Sequence, residues 1–134
     1  MVPYFLALQA QIEVKAANLD AAILLLEAAH ADVERTGERW FAAEILRLHG
    51  EALLLLGESR LAPAKDRMLE ALATAQAQGA RFWELRAALS LVRTDSRDAQ
   101  AREQLSLIRS AFTEGLALPE LQAATTLAAP SAAL

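Results

Sequence analysis

Apolar residues recur at helical spacing along nearly the whole chain, interrupted at intervals by Gly, Asn, Asp and Pro. A first helix is expected to open at Pro3, where a missing N–H costs little. It should run to about Ala17, with Tyr4, Leu8, Ile12 and Val14 as its apolar positions. Asn18 or Asp20 is the candidate N-cap of a second helix, Asp20 to about Thr36, with Ile23, Leu26, Ala29 and Val33 on one face and Gly37 as its stop. A third, Trp40 to Leu56, carries Ile45, Leu48, Ala52 and Leu56 and stops at Gly57. After the turn Glu58-Ser59-Arg60, a fourth covers Leu61 to Gln78, with Pro63 in its first turn. It buries Ala64, Met68, Leu72 and Ala75 and ends at Gly79. A fifth runs from Arg81 to about Arg93 with Leu85, Ala88, Leu89 and Val92 inward. Asp95 or Ser96 is the candidate cap of a sixth, Arg97 to Phe112, with Ala101, Leu105 and Ile108 inward and Gly115 closing it. Leu118-Pro119-Glu120 opens a short seventh helix to about Leu127, and residues 129–134 read as a flexible tail.

The pattern repeats. Gly37-Glu38-Arg39-Trp40-Phe41 returns as Gly79-Ala80-Arg81-Phe82-Trp83, and a period of this length is typical of stacked helical hairpins. Ala22, Ala64 and Ala101 form an independent set of small residues in the second, fourth and sixth helices, where a neighbouring helix can approach closely. The hairpins are expected at about 3–37, 40–79 and 81–115, with a capping helix at about 119–127, all in one domain of residues 1–128. The third unit is shorter and lacks the aromatic pair.

Composition agrees with this reading. Ala and Leu dominate a 54% hydrophobic content with few β-branched or aromatic residues, which favours helix. The apolar runs are far short of the roughly 20 residues that cross a bilayer, so no transmembrane span and no signal peptide are expected. The absence of cysteine excludes disulfides, thiolate metal sites and a Cys nucleophile and fits a cytoplasmic setting. A net charge of −4 argues against broad nucleic-acid binding, which needs Lys and Arg to neutralise phosphates.

Leu46, Gly50, Leu53, Gly57, Ala64, Met68 and Ala71 follow the order of large and small positions of the tetratricopeptide-repeat family. Leu6, Ala10, Ala17, Ala22, Leu26 and Ala29 do so in the first unit, and Ala88, Val92, Ala101 and Leu105 in the third. Glu13 stands where that family prefers a large aromatic residue. The strings Glu34-Arg35-Thr36-Gly37-Glu38-Arg39-Trp40, Leu46-Arg47-Leu48-His49-Gly50-Glu51, Trp83-Glu84-Leu85-Arg86-Ala87-Ala88 and Phe112-Thr113-Glu114-Gly115 occur in this order. Together they resemble the C-terminal helical-repeat region of bacterial multidomain regulators, in which adenylate cyclase-like or LuxR-type output domains accompany an AAA-like ATPase. The resemblance implies an all-α, right-handed superhelix of three helical hairpins plus a C-terminal capping helix, serving regulation or scaffolding. None of the catalytic parts of those regulators has a counterpart here.

The resemblance further implies that the inner face is lined by the first helix of each hairpin. By position these residues are Tyr4, Ala7, Gln11 and Lys15, then Glu44, Arg47, Glu51 and Leu54, then Arg86, Leu89 and Arg93. Their mixture of charge and aliphatic surface suits a peptide or helix lying in a groove. Other candidate sites are weaker. Glu27, His30 and Glu34 share one helix face and read as a solvated surface. Glu44 and His49 lie five residues apart, on different faces. Gly50 in a helix interior reads as a close-packing site. No phosphate loop and no Ser-His-Asp pattern is present. Of each aromatic pair, one ring is expected in the core and one partly exposed. The expected role is a non-catalytic protein–protein interaction module with a protein or peptide partner and no cofactor or metal. The alternatives are an effector-sensing domain using the same groove and a self-associating homodimer.

Overall fold

The computed structural model describes residues 2–128 and is all-α: among the described residues there are helices and no strands. The helices are α1 (Val2–Lys15), α2 (Leu19–Thr36), α3 (Ala42–Leu56), α4 (Leu61–Gln78), α5 (Arg81–Thr94), α6 (Ala99–Ser110) and α7 (Pro119–Ala128), with a 3-10 turn at Glu58–Arg60 between α3 and α4. The expected tail at 129–134 lies outside the described residues. No helix among them is long and apolar enough to cross a membrane.

Each helix packs on the next in sequence. The odd-numbered helices also approach one another, α1 on α3, α3 on α5 and α5 on α7, whereas no backbone contact of this closeness joins the even-numbered ones. The odd helices thus form one continuous series, and each even helix packs against the two odd helices that flank it in sequence. Two apolar clusters fill the space between. One joins Ala7 and Ala10 of α1, Ala22, Leu26, Ala29 and Val33 of α2, and Phe41, Ala42, Ile45 and Ala52 at the start and along one face of α3. The other runs from Leu46 through Met68, Leu72, Leu85 and Leu105 to Leu121 and Ala124 of α7. The small residues have a steric purpose. A Cβ on Gly50 would stand 2.8 Å from the Ala64 carbonyl oxygen and 2.9 Å from Met68 Cγ, so α3 and α4 reach this separation only because no side chain intervenes.

Several boundaries depart from expectation, each for a local reason. Gly37 and Gly79 do end α2 and α4 in the left-handed conformation, at φ 76° and 66°. At the end of α1 the same region is held by Ala17, φ 63°, a non-glycine solution the sequence does not announce. Trp40 and Phe41 precede α3 instead of opening it, because Ala42 and Ile45 N–H donate to the Arg39 and Phe41 carbonyls and so start the helix there. Asn18 sits at the N-terminal boundary of α2, but its side chain donates to Glu13 Oε2 at 2.9 Å and caps nothing. The cap of α6 is Asp98, whose Oδ1 accepts from Ala101 N–H at 3.1 Å; Asp95 accepts from Arg97 N–H within the preceding turn. The sixth helix is therefore shorter at both ends, and Gly115 lies in the turn beyond it. Leu56, expected inward, is exposed.

Candidate functional site

The series of odd helices holds every residue expected to line an inner face, but it treats its two halves differently. Toward the N-terminal ends of α1, α3 and α5 the seam is closed by side chains packed on one another. Tyr4 lies 5.3 Å from Trp40 and 5.0 Å from Phe41, ring centre to ring centre, and Phe41 lies edge-on to Trp83 at 5.6 Å. Phe5 and Phe82 extend this ladder at its two ends. In the first pair Phe41 is 7% exposed and Trp40 51%, the division that two adjacent residues impose.

One turn further along, aromatic contact gives way to ion pairing. Glu44 is 2% exposed and Arg47 6%, because α3 is contacted by α1, α2, α4 and α5. Arg47 Nε and Nη2 donate to the two oxygens of Glu44 at 2.6 and 3.1 Å, a bidentate pair. Arg86 of α5 reaches the same carboxylate at 2.7 Å. Arg47 Nη1 also donates to Glu51 at 2.9 Å and to Ser90 Oγ at 3.3 Å, and Ser90 Oγ donates to Glu51 at 2.8 Å. Burial works against the charge on Arg47, yet its pairing with Glu44 and Glu51 outweighs this and raises the guanidinium pKa above its ordinary value. The network is a satisfied internal cross-link between α3 and α5.

Four positions assigned to the inner face are consequently not open to a partner. Ala7, Glu44, Arg47 and Leu89 are all buried, the first and last in apolar packing and the middle two in the ion network. Tyr4 and Arg86 are half-buried and committed to Phe41 and Glu44.

The remaining ones, Gln11, Lys15, Glu51, Leu54 and Arg93, do come together. They border two adjoining hollows at the C-terminal ends of the odd helices. The first, about 170 Å³, lies between α1 and α3, with Val14 and Leu48 in its wall and Gln11 and Lys15 at its edge. The second, about 240 Å³, lies between α3 and α5, with Leu54 and Met68 in its wall and Arg93 beside it. Glu51 and Leu55 belong to both. The result is a strip with an apolar floor, a carboxylate at its centre and a cation at each side. Leu55 is the member that the periodicity missed: it belongs to the aliphatic run Leu53–Leu56 but stands outside the inner-face register. Ser90 was missed as well, having no charged neighbour in sequence to mark it.

On the other side of the molecule the face around His30 is less solvated than expected. Glu27 and Glu34 are exposed, but His30 is half-buried and its Nδ1 is buried without a partner. Burial, with the Arg67 charge, lowers the His49 pKa below its ordinary value; Glu27, His30 and Glu70 also act on it. Among the described residues no three His, Asp or Glu side chains are placed to hold a metal ion.

Two larger clefts, about 440 and 410 Å³, lie where α4 meets α5 and α6, away from the inner-face positions. Both are lined by a mixture of Gln, Leu and charged residues. Comparison with protein-family models, with curated proteins and with solved structures found no match for this chain.

Proposed function

We propose that the chain is a non-catalytic protein–protein interaction module, a tetratricopeptide-like right-handed superhelix that holds a peptide or helix along the open strip of its odd-numbered helices. The observation that carries this reading is the pair of adjoining hollows sharing Glu51 and Leu55. They are spaced along one line across three helices, as successive side chains of one bound segment would be. Lys15 and Arg93 flank the strip, so the segment it fits best alternates apolar with acidic residues. The sequence resemblance supports a place in a regulatory repeat segment of a bacterial signalling or transcriptional regulator. An effector site in the same groove is less well supported, because each hollow is smaller than the roughly 300 Å³ at which small-molecule pockets begin.

Panning a phage-displayed library of random peptides against the purified chain tests this. Enriched peptides should carry apolar residues beside acidic ones. Leu55→Glu, at an exposed position, should weaken their binding by about tenfold or more, which is roughly 1.4 kcal/mol. Absence of enrichment, or binding indifferent to both Leu55→Glu and Arg93→Glu, overturns the proposal. The same preparation should show no ATP or ester hydrolysis that follows the protein through purification.

A further inference from the structure

Glu51 stands where the two hollows of the strip meet, and its carboxylate is only half used. Oε1 accepts from Arg47 Nη1 at 2.9 Å and from Ser90 Oγ at 2.8 Å. Oε2 has no hydrogen-bond partner among the described residues, although a carboxylate accepts at both oxygens. The side chain is 41% exposed and borders both hollows. A segment lying along the strip therefore passes over an acceptor that the fold engages at one oxygen and leaves open at the other.

The charges around Glu51 decide what belongs over it. The buried network sets two carboxylates, Glu44 and Glu51, against two guanidiniums, Arg47 and Arg86, and so is neutral as a unit. Lys15 and Arg93 are exposed at the two sides and form no ion pair with a described residue. The strip as a whole thus carries two uncompensated positive charges, which two acidic residues of a partner balance. A further charge over Glu51 upsets that balance. An acidic side chain meets like charge, and a cation meets Arg47 on the same carboxylate and leaves a surplus positive charge between Lys15 and Arg93. An apolar side chain takes water from Oε2 and returns no hydrogen bond, the costly case for a polar group. An uncharged donor satisfies the open oxygen and keeps the balance.

We infer, resting on the reading of the strip as a peptide site, that the bound segment carries Asn, Gln, Ser or Thr over Glu51. On each side of that donor comes an apolar residue in a hollow and then an acidic residue toward Lys15 or Arg93. Glu51 is then the residue that sets specificity at the centre of the segment, while the hollows and the two outer cations supply affinity that many acidic, apolar segments share.

Peptides enriched from a phage-displayed library of random nonapeptides should carry Asn, Gln, Ser or Thr between their apolar positions. One such peptide, resynthesised with Leu, Asp or Lys at that position, is titrated calorimetrically against the parent chain. Affinity should fall by about tenfold or more for Leu and for Asp, and by about threefold or more for Lys. In Glu51→Gln an N–H donor replaces Oε2, while the amide oxygen still accepts from Arg47 and Ser90. The Asp peptide should then bind within about threefold of the Asn peptide. Glu103→Gln, at an exposed carboxylate on α6, should leave the original order in place, and circular dichroism should show both variants folded. Enriched peptides that respond to Leu55→Glu but bind alike with Asn and Leu, or better with Lys, overturn this inference and leave the strip standing. So does full discrimination against Asp in Glu51→Gln. Absence of any enriched peptide removes the strip, and this inference with it. The peptide series on the parent chain decides the matter even where Glu51→Gln fails to fold.

Discussion

Replacing Arg47 by Leu removes the hub of the buried ion network while keeping an apolar side chain of similar bulk. Glu44 would then remain 3% exposed at the side chain, with Arg86 as its one cationic partner. Breaking a buried pair from one side costs about 3–5 kcal/mol, because a charge is left without compensation in a poorly solvated site. Arg86 still reaches Glu44, and Glu51 keeps Ser90 and is partly exposed, which places the expected loss near the lower limit, about 3 kcal/mol. For a chain of this length that corresponds to a fall in Tm of roughly 10 °C. Thermal and urea unfolding followed by circular dichroism would read it. The second arm is the double variant Glu44→Leu with Arg47→Leu. Here both buried charges vanish together, Arg86 is a third exposed and can turn to solvent, and stability should return to within about 1 kcal/mol of the parent. If Arg47→Leu alone costs less than about 1 kcal/mol, or if the double variant is no more stable than the single, the network is not the buried and mutually compensated cluster described here.

Three further outcomes follow from named contacts. Gly50→Leu drives a side chain into the Ala64 carbonyl and Met68 and should lower Tm by roughly 10 °C or prevent folding; overpacking alone costs about 1–3 kcal/mol, and an unchanged Tm would remove Gly50 from the α3–α4 contact. His49 has a pKa held below its ordinary value by burial and Arg67, so its contribution is full above about pH 6.5 and is lost as pH falls through that value, where the unfolded chain takes up the proton first. The stability curve of His49→Gln measured between pH 8 and 5 should be flatter than that of the parent. Asp98→Ala loses the cap of α6 at a cost of about 1 kcal/mol; because the Ala101 N–H, with help from Lys65, holds this carboxyl below its ordinary pKa, the difference from the parent should shrink below about pH 4.

How far the sequence could be read depended on whether the controlling contact was local. The helices and most of their inward faces were legible because periodicity reflects burial directly: Ala64, Met68, Leu72 and Ala75 of α4 are all buried as expected, as are Leu85, Ala88, Leu89 and Val92 of α5. The glycines at the ends of α2 and α4 announce a left-handed residue. Ala17 adopts the same region without announcing it, because Asn18 N–H closes the turn onto the Glu13 carbonyl at 2.8 Å. The residues expected on an inner face were read from the sequence without their accessibility. Arg47 looks like any surface arginine until α5 brings Ser90 and Arg86 against the same turn of α3, and no local pattern encodes that meeting. Leu55 and Ser90 entered the site for the same reason, through the distance between neighbouring helices.

Stacked helical arrays are quasi-one-dimensional, and each unit ordinarily draws its stability from its immediate neighbours. Such molecules tend to melt from their ends inward. In this chain α3 belongs to both apolar clusters, giving Ile45, Ala42 and Ala52 to one and Leu46 to the other, and it carries Arg47 and Glu44 on a further face toward α5. Loss of either half therefore strips a wall from the remaining half and uncovers two charges. The molecule should therefore unfold as a single cooperative unit, with α3 as the element through which one half senses the integrity of the other.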